Sequence, residues 1–190
     1  MKNVIKAIQE DCPAIEELIW VNLREEPLIY INGVPYVLRD QYLTIRNTNT
    51  YAGITPSRLE MFENRLKEDV QQEVKMYKNR ILLHGESEDG NIVPIWEDCL
   101  PEAVSTIKEV IQVVQNEEKD DNNLDGLGIV QIEYFRVSIT AEKPPDVIDI
   151  DLMVRIMTRV NLEKSSIIVN CQMGSGRSTT GTGIARSVTI

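Results

Sequence analysis

Residues 165–190 read SSIIVNCQMGSGRSTTGTGIARSVTI, and the fold turns on how this stretch is read. A short β-branched run ends at Cys171, a glycine-punctuated loop follows, and a run of small residues closes the segment. The β-branched run predicts a strand, and the small residues predict a helix beginning near Arg177. Between them, Gly174 and Gly176 can take positive φ without a Cβ clash, so the loop can curl and aim its N–H groups at one point. The helix adds its own unpaired N–H groups and the positive end of its dipole at the same place. Such a point binds an anion.

The side chains placed there suit phosphate chemistry. The helix field favours a thiolate at Cys171, which makes the sulfur a nucleophile near neutral pH. Arg177 presents a planar fork that can hold two oxygens of a tetrahedral phosphate and stabilise charge on equatorial oxygens in the transition state. Gln172, Met173, Gly174, Ser175 and Gly176 supply the loop that cradles the phosphate. Ser178 can donate its hydroxyl to the departing thiolate in a second step. A buried free cysteine beside a tight strand-to-helix turn would explain the glycines alone, but it leaves Arg177 without a role. This C-(x)5-R-[S/T] signature resembles the cysteine-dependent phosphatases of the protein tyrosine phosphatase superfamily.

At 190 residues, the chain is long enough for one domain with a real core. A formal charge of −10 argues against nucleic acid and anionic membrane as general partners, since long-range steering would be repulsive. Three cysteines, Cys12, Cys99 and Cys171, make no metal pattern, and an odd count without a signal sequence points to a reducing, cytoplasmic setting. The first residues carry acids throughout and lack a continuous apolar core, so neither a signal peptide nor a transmembrane segment is expected there. The chemistry calls for no metal and no other cofactor.

Along the chain, a short helix before Pro13 leads to a strand at Ile19–Leu23. NLREEP is then a charged loop containing Arg24. LIYINGVPYVL carries a hairpin signal at Asn32-Gly33, with Pro35 placed on an edge strand. Residues 41–53 are polar and turn-rich. From Thr55-Pro56, the positions Leu59, Phe62, Leu66, Val70 and Val74 keep one helical face to about Lys78. ILLHG reads as a strand and NIVPIWED as an extended segment. Pro101 predicts a helix start with Val104, Ile107, Ile111 and Val114 on its face, and the following NEEKDDNN predicts a solvated loop. IVQIEYFRVSI is the longest strand-like run, TAEKPPD is a loop, and Leu152, Met153, Ile156 and Met157 return the chain as a helix to the strand before Cys171. Alternation of strands with helices predicts an α/β fold, a mostly parallel central sheet flanked by helices, with active loops at the carboxyl ends of its strands.

The segments WVNLREEPLIYINGVPYVLR, TPSRLEMFENRLKEDV, ILLHGESEDG, VPIWED, YFRVSITAEKPPD and NCQMGSGRSTTG together resemble the paladin family, tandem phosphatase-like proteins related to cysteine phytases. The resemblance runs in order from Trp20 to Gly181. It implies a phosphatase fold and repeats of the same kind within a longer polypeptide. It also implies ligands that are phosphate esters of inositol, phosphoinositide headgroups or phosphoproteins. Members of the family have been regarded both as phosphatases and as pseudophosphatases, so turnover and scaffold-like binding are both implied. Carried over residue by residue, Cys171 matches the nucleophile, Arg177 the phosphate clamp and Ser178 the hydroxyl that helps the thiolate leave. With 13 residues after Arg177, the expectation is a single phosphatase-like domain over 1–190, truncated after the helix of the phosphate loop, as a fragment or one repeat.

Two positions depart from the pattern. Asn170 stands where a histidine often precedes the nucleophile, although its side chain can still hold the loop by local hydrogen bonds. Ala141 stands where related enzymes place the aspartate that protonates the leaving group. Glu142 is the next proton donor in line and Asp146 follows it. Arg24 and Lys143 are candidates for a second phosphate, weighed against ordinary loop solubility. His84, the one histidine, is expected in a surface turn, Trp20 and Trp96 in packing, and Cys12 and Cys99 in structural roles.

Overall fold

The structure, a computed structural model, describes residues 2–39, 52–125, 131–141 and 143–188. The chain divides into two compact units. One comprises Met1–Glu25, Ala52–Pro56 and Ile111–Ile190, and the other Glu26–Tyr51 and Ser57–Val110.

The first unit is built on a three-stranded parallel sheet of β1 (Glu17–Arg24), β7 (Gln131–Ile139) and β8 (Ser165–Asn170), in the order β7-β1-β8. β1 lies in the centre, and its residues from Leu18 to Leu23 are all buried. A strand covered on both faces reads as a continuous apolar run, which is why LIWVNL lacks polar alternation. Ile19, Val21 and Leu23 share one face with Val137 and Ile139 of β7. Onto this face pack Met153, Ile156 and Met157 of α4 (Val147–Met157) and Ala185 of α5 (Gly176–Val188). Each such buried aliphatic or thioether side chain contributes about 1.5–3 kcal/mol relative to exposure. The unit also contains α1 (Lys2–Asp11), whose Ile5 is fully buried.

α4 begins in a capping box. The Asp146 carboxylate accepts from the N–H groups of Ile148 and Asp149, both at 2.9 Å, and Asp149 Oδ2 accepts from the Asp146 N–H at 3.1 Å. Such a box satisfies the unpaired amides of the first turn. It follows Pro144-Pro145 directly, so the loop after β7 ends where the caps dictate.

The second unit holds the hairpin β2 (Leu28–Ile31) and β3 (Val34–Val37), with β6 (Val104–Thr106) antiparallel on the other side of β2. Asn32 and Gly33 have φ of 51° and 79°, the left-handed pair that a tight two-residue hairpin requires. Pro35 sits on the edge strand β3, as expected. α2 (Pro56–Met76) contributes Val74, which packs with Ile29, Ile31, Ile81, Leu83, Cys99 and Val104. A second antiparallel pair, β4 (Arg80–Glu86) and β5 (Ile92–Asp98), completes it. Glu63 of α2, 2% exposed, accepts the Leu28 N–H at 3.0 Å.

The expected α/β fold with a parallel central sheet flanked by helices is what the first unit shows, while the strand pairs of the second unit are antiparallel. Three expectations are corrected. The helix predicted from Pro101 is a 3-10 turn (Pro101–Ala103) followed by β6, with α3 running only from Ile107 to Asp125. Val104 to Thr106 pair with β2, and Thr106 then restarts the chain as a helix. Its N–H donates to Glu109 Oε2 at 2.8 Å, and its hydroxyl accepts the Glu109 N–H at 3.4 Å. The charge run NEEKDDNN continues α3 rather than forming a loop. His84 lies inside β4, opposite Pro94, instead of in a turn. The predicted loop at 41–53 falls largely outside the described residues. No helix among the described residues is long and apolar enough to cross a membrane.

Candidate active site

Asn170, Asn22 and Arg136 stand in register across β8, β1 and β7 near their carboxyl ends. The chain leaves β8 at Cys171, makes four residues of loop and enters α5 at Gly176. Gly174 has φ +76°, a conformation that glycine adopts at no steric cost. Gly176, expected to share that role, is instead the first residue of α5. The Thr179 hydroxyl donates to the Ser175 carbonyl and ties the loop to the first turn of the helix.

The loop closes on the sulfur. Burial pushes the Cys171 thiol up, but the Ser178 hydroxyl and the N–H groups of Ser178, Gly174 and Met173 around it together hold it below its ordinary range. Hydrogen bonds to the charged form favour that form, so the thiolate is the stabilised species. Ser178 is 5% exposed, and its buried Oγ makes no hydrogen bond of standard geometry among the described residues, so it acts on the sulfur as a nearby dipole.

Arg177 leaves the first turn of α5 and reaches the ends of both neighbouring strands. Its Nη1 donates to the Ile139 carbonyl at 3.0 Å and to the Leu23 carbonyl at 3.5 Å. These bonds fix the plane of the guanidinium beside the loop. α5 approaches β1 closely because Gly181 is a glycine. A Cβ there would stand 2.6 Å from Leu23 Cδ1 and 2.9 Å from Val169 Cγ1.

The sequence-predicted residues are thus partly assembled. Cys171, the loop from Gln172 to Gly176, Arg177 and Ser178 form one constellation. Arg24 is the last residue of β1 and partly buried, and Lys143 is exposed in the loop after β7. Asp146 is committed to capping α4, and Glu142 lies outside the described residues. Trp96 and His84 belong to the unit that does not contain Cys171. Trp96 is 43% exposed, with the Tyr77 ring at 5.2 Å and the Arg80 guanidinium at 5.4 Å. Cys99 is buried as a structural residue would be, whereas Cys12 is exposed.

Three residues escaped the sequence reading. Glu25, 6% exposed, accepts from Thr140 Oγ1 at 2.9 Å, from the Ala141 N–H at 3.3 Å and from the Gly53 N–H at 3.2 Å. It therefore pins the loop after β7, the loop that carries Ala141 and Glu142. Its signal was the acidic pair in NLREEP, read only as a charged loop. Asp149, in the first turn of α4, is pushed up by burial and by the carboxylates of Asp146 and Glu25, against a hydrogen bond from the Asp146 N–H. Trp20 does more than pack, since it donates its indole N–H to Asn170 Oδ1 at 2.8 Å.

A family model for PTP-like phytases, described by inositol hexakisphosphate, matches residues 21–188. The chain belongs to the PTP-like phytase family. Solved structures resemble this PTP-like phytase domain along nearly its whole length. The tandemly repeated protein tyrosine phosphatase-like phytase of Mitsuokella multacida matches 97% of the chain at 15% identity, with a TM-score of 0.66. A PTP-like myo-inositol phosphatase of the same organism, in complex with myo-inositol-(1,3,4,5)-tetrakisphosphate, matches 92% at 16% identity and a TM-score of 0.64. A PTP-like phytase of Bdellovibrio bacteriovorus matches 93% at 16% identity and 0.55. At such identities the likeness is one of fold. The domain spans 26% and 25% of the two Mitsuokella chains and 52% of the Bdellovibrio chain. Among curated proteins no relative matches.

Proposed function

We propose that this PTP-like phytase domain is a cysteine-dependent phosphatase of phosphate monoesters, with inositol phosphates as the substrate class and phosphoinositide headgroups or phosphoproteins as further candidates. The observation that carries the reading is the geometry that puts Cys171 at the end of β8, turns the loop at Gly174 with φ +76° and sets Arg177 and Ser178 on the first turn of α5, with Cys171 held below its ordinary range. The thiolate attacks phosphorus in line, the ester P–O bond breaks, and Arg177 with the amides of residues 172–176 stabilises the equatorial oxygens. Water then attacks the cysteinyl-phosphate, the S–P bond breaks, and Ser178 donates to the departing thiolate. Glu142 is assigned as donor to the leaving oxygen, and Arg24 and Lys143 as contacts for a second phosphate. The segments NLREEP and CQMGSGR support placing the domain with the paladin type, working beside further repeats of its own polypeptide. A nucleophile that must stay reduced suits the cytoplasm.

Ala141 supports a second reading, in which the domain binds phosphorylated ligands as a scaffold without turnover. A missing acid forfeits a factor of about 10² to 10⁴ unless the leaving group is already a weak base. Phosphate release from an activated aryl phosphate and from an inositol phosphate panel, with Cys171→Ser as control, separates the two. Aryl turnover that vanishes in Cys171→Ser is the expected result, with Ala141→Asp accelerating the inositol esters. Retained inorganic phosphate binding with no turnover of either substrate would leave only the scaffold.

A further inference from the structure

The phosphate chemistry proposed above makes no use of Trp20, although the residue is buried, 8% exposed, and lies on the strand beside that of Cys171. Its Nε1–H donates to Asn170 Oδ1 at 2.8 Å, and Asn170 immediately precedes Cys171. An indole has a donor and no acceptor, so the carboxamide must turn its oxygen to Trp20. Its amide nitrogen is thereby aimed at the Cys171 carbonyl, 3.5 Å away. The register explains the reach. Asn22 stands opposite Asn170 and Trp20 opposite Ile168, so Trp20 and Asn170 are diagonal neighbours on one face of a parallel pair.

Beside this pair, a row of polar side chains ties β1 to β7. Asn22, fully buried, donates to the Tyr134 hydroxyl at 3.2 Å, and its Oδ1 accepts the Arg24 N–H at 3.0 Å. Arg136, 4% exposed, donates to the same Tyr134 hydroxyl at 2.9 Å and to the Arg24 carbonyl at 2.7 Å. This row ties β1 to β7 directly beside Asn170, which stands opposite Asn22 in the register, and the carboxamide itself is held by Trp20 on one side and the Cys171 carbonyl on the other.

We propose that Trp20 and Asn170 are positioning residues, a two-step relay from indole to carboxamide to the Cys171 carbonyl that sets the first peptide plane of the phosphate loop. That carbonyl belongs to the peptide joining Cys171 to Gln172. Fixing its plane fixes the direction in which the chain continues to Met173 and Gly174, whose N–H groups meet the sulfur. Proton donors upstream also polarise those downstream in a chain of hydrogen bonds. A histidine is thus not required before the nucleophile: an asparagine oriented from behind by an indole does the holding.

This inference rests on Cys171 being the reactive group, and its test needs no turnover. Cys171 alkylation by iodoacetamide is followed against pH by mass spectrometry in a Cys12→Ser background, which removes the exposed thiol. Trp20→Phe is expected to move the alkylation midpoint upward and to weaken inorganic phosphate binding. Asn170→Ala should do the same, and the double variant should be no worse than either single one, because both break the same relay. Melting temperature is recorded alongside, since Trp20→Phe also loses packing. Variants that melt earlier with the midpoint unmoved would overturn the proposal, and so would midpoint shifts that simply add. A relay confirmed in a protein that releases no phosphate would overturn the phosphatase reading and leave this one standing.

Discussion

Two glycines of α5 lie two residues apart, and alanine at each is expected to act with a different sign. At Gly181 a new Cβ would meet Leu23 Cδ1 at 2.6 Å and Val169 Cγ1 at 2.9 Å. Carbon contacts are comfortable at about 3.5–4.0 Å, so about 1 Å of movement is needed. Leu23 is fully buried and its carbonyl receives Arg177, so the helix must lift. Overpacking of this kind costs about 1–3 kcal/mol, and the better helix propensity of alanine returns about 1 kcal/mol. Gly181→Ala is therefore expected to destabilise by about 0–2 kcal/mol. At Gly183 a Cβ meets nothing within 4 Å, so only propensity acts, and Gly183→Ala should stabilise by about 1 kcal/mol. Thermal melts followed by circular dichroism should separate the two by several degrees, at about 2–4 °C per kcal/mol for a chain of this size. A lifted α5 also carries Arg177 away from the loop, so inorganic phosphate should bind more weakly to Gly181→Ala and unchanged to Gly183→Ala. Equal melting temperatures, or a more stable Gly181→Ala, would refute the close approach of α5 to β1.

Arg177→Lys removes the planar guanidinium whose Nη1 links two strand ends, and kcat is expected to fall about 10² to 10³-fold; a smaller loss in aryl phosphate assays would show that a point charge suffices. Ser178→Ala removes the largest of the donors that lower Cys171, so the alkylation midpoint should rise, and an unmoved midpoint would place the hydroxyl elsewhere. Because Cys171 is lower in the folded chain than in the unfolded one, its stabilising effect is full above the unfolded thiol range of about 8.5 and lost as pH falls through the folded value. Wild type and Cys171→Ser should accordingly differ in stability by an amount that grows from low pH toward pH 9. Asp149 runs the other way: its folded value is raised, so the favourable contribution of the neutral form is present below the unfolded carboxyl range of about 4 and lost as pH rises through the folded value. Asp149→Asn keeps an acceptor for the Asp146 N–H and should gain stability over wild type at pH 7 but not at pH 3, as urea melts would show.

The phosphate loop was legible because its chemistry is local. Cys171, Gly174, Arg177 and Ser178 lie within eight residues, and a strand before and a helix after leave the loop one way to curl. The Asn32-Gly33 hairpin was legible for the same reason. Val104, Ile107 and Ile111 misled because a spacing of three and four suits a helix even when its first member belongs to a strand. Only the pairing of Val104 with Ile31 and the Thr106–Glu109 cap reveal where the helix begins. Glu25 could not have been read as the anchor of Ala141, since 116 residues separate them and nothing in NLREEP marks which acid turns inward. The Trp20–Asn170 bond spans 150 residues and depends on a strand register that sequence patterns do not encode.

Arg177, proposed above as the phosphate clamp, also holds the sheet. By sharing Nη1 between Leu23 and Ile139, one guanidinium splices together the ends of two parallel strands at the point where their ladder shifts register, between Asn22 and Arg24. If Arg177 also clamps phosphate as proposed, the grip on a ligand and the closure of the sheet's end are drawn from one side chain and belong to a single equilibrium. A bound anion that steadies this arginine would quieten amide exchange at both strand ends, and a frayed sheet would loosen the anion in return.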